Sequence, residues 1–156
     1  LFGFVFDVDR FAEGGVLILG GVKVPHDKGL DGHSDADIVL HALMDALVGA
    51  AALGDIGKHF PNNDPRYKGI SSIFLLKHIG ELLANECYNI INVDVTVVME
   101  EPKILPYIEQ MRKNISAALN ISPEQVSVKA TTNEGMGFIG HGEGAVAHAV
   151  VSIIQQ

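Results

Sequence analysis

Asp7 and Asp9 stand one residue apart in "GFVFDVDRF", and the later stretch "HSDADIVLH" offers His33, Asp35, Asp37 and His41. Residues two apart on an extended strand face the same side, so the first stretch presents two carboxylates together. Such a pair repels itself unless a cation or a hydrogen-bond donor lies between them. Arg10 points to the opposite face and is a poor local partner, which leaves a more distant lysine as the alternative. Taken alone, the pair reads as solvated acids where a strand meets a turn. In the second stretch Asp37, His41 and Asp45 recur every fourth residue, which places them on one face of a helix. A polar stripe facing solvent is the ordinary reading of that spacing. Leu40, Leu43 and Met44 around His41 argue for burial, and a histidine at the edge of a buried stripe needs a carboxylate, a carbonyl or a metal. Asp7, Asp9 and His41 together would form a three-ligand site with an open position, suited to zinc or manganese.

A second candidate is the glycine-rich run "KATTNEGMGFIGHGEG". Hydroxyls from Thr131 and Thr132 and exposed N–H groups suit phosphate oxygens, and Glu134 could hold a divalent ion bridging a diphosphate. Most glycine-rich loops are only turns, so this signal is weak by itself. The long run "GDIGKHFPNNDP" leans towards function for its length alone. His26, His59, His78 and His148 have no partners at ligand spacing and read as surface or packed histidines.

These groups need a scaffold, and the chain supplies one of ordinary size. At 156 residues it reads as one domain spanning 1–156, able to bury roughly two-thirds of its unfolded surface. Apolar residues at 47% against 19% charged place it among globular proteins rather than disordered ones. The lone Cys87 cannot form an internal disulfide, which makes a reducing compartment the default. No apolar run approaches the ~20 residues of a membrane-spanning helix, so no membrane partner is expected. A net charge of -8 argues against a nucleic-acid surface. It also means that a phosphorylated ligand would need metal ions, backbone N–H groups or a few placed cations to invert the local field.

The pattern predicts β structure in "FGFVF", "VLIL" and "VKV", then a helix from Ala36 to Leu53 with Ser34 or Asp35 as its cap. Gly54 to Gly69 reads as a loop, followed by a helix from Ser71 to Glu86. "INVDVTVVM" alternates as a strand, and a third helix follows from about Leu105 to Leu119. Ser122, Pro123 and Gln125 resemble a capping box that opens only a short turn. "VSVKA" and "AVAHAVVSII" complete the strands. The expected fold class is α/β (α+β): a mixed sheet covered on one side by helices.

Taken together, "FDV", "LILGGV", "GHSDADIVLHALMDALVGAAALGDIGKHFP", "NVDVTVV", "PKILPYIEQMR", "VKATTNE" and "GFIGHGEG" resemble, collinearly and over nearly the whole chain, the 2-C-methyl-D-erythritol 2,4-cyclodiphosphate synthase family. The resemblance implies a homotrimer with active sites at subunit interfaces, placed in a bacterial cytoplasm or, after loss of a presequence, a plastid-type stroma. It implies a small-molecule diphosphocytidyl substrate, 4-diphosphocytidyl-2-C-methyl-D-erythritol 2-phosphate, whose own 2-phosphate closes a cyclodiphosphate and expels CMP. The family's zinc ligands correspond to Asp7, Asp9 and His41, and its second metal, magnesium or manganese, to Glu134. Transition-state stabilisation corresponds to His33 and Thr132. Substrate contacts correspond to Ser34, Asp55, Ile56 and Gly57, to the loop Phe60, Pro61, Asn62, Asn63 and Asp64, and to Phe138 and His141. The cytidine pocket corresponds to Met99, Glu100, Glu101, Pro102, Lys103, Ile104 and Leu105, with Thr131 and Asn133.

Several positions depart from the family's pattern. Asp9 stands for a histidine, Asn62 for an aspartate, Asn133 for a threonine, Gly135 for a lysine and His141 for an arginine near the trimer axis. Glu100 and Glu101 replace the Gln-Ala of "AQAPK". Two competing readings stand beside the lyase: a metal-dependent diphosphate hydrolase, and a catalytically weakened trimer that only binds nucleotide or isoprenoid phosphates. An anion held by His141 would bind more weakly as pH rises above neutral. Two carboxylates and one imidazole form a harder donor set than one carboxylate and two imidazoles, favouring Mn²⁺ or Mg²⁺ over Zn²⁺. Asp9→His is therefore expected to bind Zn²⁺ more tightly than the natural chain, and equal dissociation constants by calorimetry would refute this.

Overall fold

A computed structural model describes all of residues 1–156. Five strands form one mixed sheet in the order β4 (Lys28–Asp31), β1 (Phe2–Glu13), β7 (Gly144–Gln155), β5 (Tyr88–Val98), β6 (Val126–Thr131). Only β5 and β6 run parallel; every other neighbouring pair is antiparallel. The short strands β2 (Leu17–Leu19) and β3 (Val22–Val24) make a separate hairpin.

One face of the sheet is a row of small or branched residues set by the two-residue period: Gly3 and Val5 on β1, Ala145, Ala147, Ala149 and Val151 on β7, Val93, Val95 and Val97 on β5. Helix α1 (Ile38–Ala50) lies on β1 and β7, and almost all of its residues are buried. Its seat is so close that a Cβ on Gly3 would come 1.9 Å from the Ala46 carbonyl oxygen. Two further helices, α3 (Ser72–Asn85) and α4 (Ile108–Leu119), pack on each other and complete the layer. The expected sheet with helices on one side is thus present. The other face carries Phe2, Phe4, Phe6, Val8 and Val150, all exposed.

The expected helices lie where predicted, with trimmed ends. Asp37 caps α1, in place of Ser34 or Asp35, accepting Leu40 N at 3.1 Å. The loop from Gly54 to Gly69 contains a single-turn helix α2 (Ile56–His59) and a 3₁₀ turn at Pro65–Tyr67. β4 and the short helix α5 (Gly137–Gly140) were not foreseen, because each lacks its own hydrophobic period. Leu105–Tyr107 is a 3₁₀ turn, and α4 begins only at Ile108.

Asp37 does more than cap. It is fully buried, and its carboxylate also accepts Gly20 N at 2.9 Å and Gly21 N at 2.7 Å. Both glycines have positive φ, 58° and 74°, which turns their N–H groups into the helix end. One side chain thereby ties the β2–β3 hairpin to α1. Burial pushes its carboxyl up to about 7, against the pull of those three N–H donors. The folded state thus holds the Asp37 proton more tightly than the unfolded chain, so this contribution is complete below pH ~4 and is lost as pH rises through about 7. Asp37→Ala should cost roughly 3 kcal/mol, because three buried N–H donors lose a charged acceptor. It should also shrink the stability difference between pH 6 and pH 8.5, and urea unfolding at the two pH values measures both.

Candidate active site

The N-terminal end of α1, the middle of β1 and the segment after α1 enclose a cleft of about 880 Å³. Asp7, Asp9, His33, Ser34, His41, Asp45 and Asp55 line it, with Ile56, Gly57, Phe60, Asn62, Asn63 and Asp64. Lys68 is the one lysine or arginine on that wall. The period of β1 puts Asp7 and Asp9 on the helix-covered face, half-buried, while Phe6, Val8 and Arg10 point away.

The acidic groups meet different fates. Asp45, on the stripe with His41, accepts Ile56 N at 2.7 Å and so fastens α2 to α1. Asp55 caps α2 by accepting Lys58 N at 3.0 Å. Asp7 Oδ1 accepts the N–H of Val8 at 3.0 Å. Asp9 Oδ2 is buried without any hydrogen-bond partner. Burial first, then the charges of Asp7 and Asp31, push the Asp9 carboxyl up to about 7. An orphaned carboxylate oxygen beside a second carboxylate is what a hard cation would satisfy.

His41 is 6% exposed, and burial pushes its imidazole pKa down, so the ring favours its neutral form. Its Nε2 lies 3.0 Å from Ser34 Oγ and 2.9 Å from Ser72 Oγ. Ser34 and Ala36 both have positive φ, 51° and 55°, so the segment leading into α1 is bent twice to bring these groups together. Such backbone costs about 1 kcal/mol or more per residue and clusters at functional sites. The stripe Asp37–His41–Asp45 is therefore buried or half-buried, not solvated. The three candidate metal ligands share the cleft, yet no three His, Cys, Asp or Glu side chains are gathered tightly enough to enclose an ion. His33 is exposed, and its Nε2 takes the amide N–H of Asn62 at 3.2 Å.

The other expected residues lie apart from this cleft. Met99, Glu100, Pro102, Lys103, Ile104, Leu105, Thr131 and Thr132 line a second hollow of about 410 Å³, which has no residue in common with the first. Glu101 and Pro61 are exposed and line neither. Asn133 and Glu134 continue the loop after Thr132, Phe138 lies in the short helix α5 and His141 caps its end; none of the four lines either hollow. Within one chain, then, His33 and Thr132 are not brought together. Glu100 accepts Asn133 N at 2.7 Å and Gly135 N at 2.8 Å, clasping the glycine-rich loop. Sequence reasoning gave Ser72 no role. Ser71, its neighbour, caps α3 by accepting Ile73 N, and the Ser72 hydroxyl instead meets Asp35 and His41 behind the cleft.

An α+β domain of this topology thus carries a carboxylate–imidazole cleft and a separate loop-lined hollow. The profile of the YgbB family matches residues 1–154, and the chain belongs to that family. It is 58% identical to 2-C-methyl-D-erythritol 2,4-cyclodiphosphate synthase of Alkaliphilus metalliredigens, over 98% of this chain and 96% of that one. Its fold matches the bifunctional IspDF of Campylobacter jejuni with a TM-score of 0.94 and 37% identity, covering 99% of this chain and 42% of the longer one. It matches IspF of Plasmodium falciparum in complex with CDP with a TM-score of 0.86 and 34% identity, covering 99% and 96%.

Glu100→Ala is expected to speed hydrogen exchange at the Asn133 and Gly135 amides roughly tenfold or more, since two charge-assisted bonds are lost. Glu100→Gln, which keeps an acceptor oxygen, should lie between the two. Exchange followed by NMR checks this, and unchanged rates in the alanine variant would show that the clasp does not order the loop.

Proposed function

We infer that this chain is a lyase that converts 4-diphosphocytidyl-2-C-methyl-D-erythritol 2-phosphate to 2-C-methyl-D-erythritol 2,4-cyclodiphosphate and CMP. The observation that carries the reading is the cleft itself. It sets Asp7, Asp9, His33, Ser34, His41 and Asp55 around one space in a chain 58% identical to such a synthase. An oxygen of the 2-phosphate attacks the β-phosphorus, the bond from that phosphorus to the bridging oxygen breaks, and CMP leaves with the electron pair. The nucleophile is already ionised at neutral pH, so no general base is needed; catalysis is folding of the substrate and stabilisation of charge.

Ser34, the segment Asp55–Gly57 and the loop Phe60–Asp64 hold the erythritol phosphate end, and Phe60 closes the cleft with an apolar wall. His33 donates a hydrogen bond to the charge that grows on the β-phosphate. Thr132, with Thr131, Asn133 and the Met99–Leu105 segment, binds the cytidine diphosphate end, while Lys103 supplies positive charge there. Phe138 and His141 flank that loop. Asp7, Asp9 and His41 would hold one divalent cation, Mn²⁺ or Zn²⁺, and Glu134 a second, Mg²⁺ or Mn²⁺. The unpartnered Asp9 Oδ2 supports the first of these. Such cations supply Lewis acidity, drawing charge from phosphorus as the leaving group departs.

A homotrimer accounts for the separation of the two half-sites, with the second hollow of one subunit completing the cleft of the next. The open sheet face supports it, since Phe2, Phe4 and Phe6 stay exposed at 81%, 63% and 60% in the single chain.

Incubation with the diphosphocytidyl substrate and Mn²⁺ or Zn²⁺, followed by phosphorus NMR of the products, tests the reading. Cyclodiphosphate with equimolar CMP is expected. Linear phosphates would replace the lyase with a hydrolase, and binding without turnover that Asp9→His restores would identify a weakened enzyme.

A further inference from the structure

A chain of hydrogen bonds behind the cleft settles which nitrogen of His41 is free. Asp35 Oδ2 accepts Ser72 N at 2.9 Å, and Asp35 Oδ1 accepts the Ser72 hydroxyl at 2.5 Å. The same Oδ1 also receives Asp37 N at 3.3 Å, so the carboxylate is surrounded by donors. Ser72 is fully buried at the start of α3, with no water-facing alternative for its hydroxyl. A hydroxyl has a single proton, and this one is committed to Asp35.

What Ser72 Oγ offers His41 is therefore a lone pair. The contact of 2.9 Å from His41 Nε2 to Ser72 Oγ must be Nε2–H donating to oxygen, since two lone pairs at that distance would repel. Ser34 Oγ, 3.0 Å from the same nitrogen, is a second acceptor for that N–H. Its own proton can run to Ser72 Oγ at 3.2 Å or into the cleft. In the neutral ring the lone pair then sits on Nδ1. That atom has no partner in the protein and is not among the buried orphans, so it opens to the cleft.

We propose that Asp35 and Ser72 are positioning residues: the relay Asp35–Ser72–His41 holds the imidazole as the Nε2–H tautomer and presents Nδ1 to the cleft as a ligand for a divalent cation. Residues behind a ligating histidine commonly set its tautomer in this way, by accepting the other ring N–H. Here the acceptor is a hydroxyl whose orientation a carboxylate dictates. The inference rests on the reading of His41 as a metal ligand. It predicts a specific asymmetry between the two positioning residues. Removing Ser72 takes away an acceptor, whereas removing Asp35 frees the Ser72 proton to donate to Nε2 and drives the ring's own proton to Nδ1.

The test uses the full chain with ¹⁵N-labelled histidine, free of metal, and long-range ¹H–¹⁵N NMR to read the tautomer, beside calorimetric titration with Mn²⁺ alone. The natural protein should show His41 protonated at Nε2. Asp35→Ala should move the proton to Nδ1, Ser72→Ala should give a mixture, and both should weaken Mn²⁺ binding by about 10–100-fold. Ser72→Thr, which retains the hydroxyl, should restore tautomer and affinity, separating the relay from mere packing at α3. A proton on Nδ1 in the natural protein, an unchanged tautomer in Asp35→Ala, or a shifted tautomer with unchanged Mn²⁺ affinity would each overturn the proposal. Failure of the natural protein to release CMP would instead sink the lyase reading, and the NMR and titration readouts would still stand.

Discussion

The structure depends on how closely α1 can lie on the sheet. Beneath the helix, β7 offers Ala145, Ala147 and Ala149, and β1 offers Gly3, so there is almost no side chain to hold the layers apart. At Gly3 even a methyl group would collide with the helix backbone. That contact sets the height at which His41 stands over β1, and hence its place in one cleft with Asp7 and Asp9. A bulkier floor would lift the helix and separate the candidate ligands. The packing of small residues and the chemistry of the site are in this sense one constraint.

Two carboxyls in the protein are raised to about 7, and their surroundings give them opposite meanings. Asp37 is entirely enclosed, yet every charge it carries is answered by backbone N–H groups from Gly20, Gly21 and Leu40. It is a fastener. Asp9 is less buried but has an oxygen with no partner at all and like charges from Asp7 and Asp31 beside it. An unsatisfied group of that kind is costly unless something outside the chain completes it. Perturbation alone would not separate the two; the hydrogen-bond inventory does. The same inventory separates Asp45, tied to Ile56 N, from the carboxylates left open to the cleft.

Much of this could be read from residue order. Alternation along "GFVFDVDRF" put Asp7 and Asp9 on one face, and the fourfold spacing of Asp37, His41 and Asp45 put them on one side of a helix. Both hold in the structure. Ser34, Asp35 and Asp37 are all good caps, so local sequence does not single out the cap of α1. The choice fell to Asp37 only when the hairpin glycines turned their N–H groups towards it. The run from Gly54 to Gly69 looked like plain loop because its single helical turn is too short to show a period; Asp45, from another element, helps to hold it. Ser72 is not legible in the sequence, since a serine pair at a helix start reads as capping and nothing local says that the second hydroxyl faces Asp35 and His41.

By itself the sequence determined the longer helices and strands, the residues that share a face, and the family, because periodicity and collinear motifs are properties of the chain read in order. Tertiary structure alone decided which of the acids are satisfied, which nitrogen of His41 is free, and that the two hollows stay apart within one chain. Those outcomes depend on contacts between residues distant in the chain, such as Asp35 with Ser72 and Gly20 with Asp37. Hydrogen bonding and desolvation act only across such contacts, and no local pattern records them.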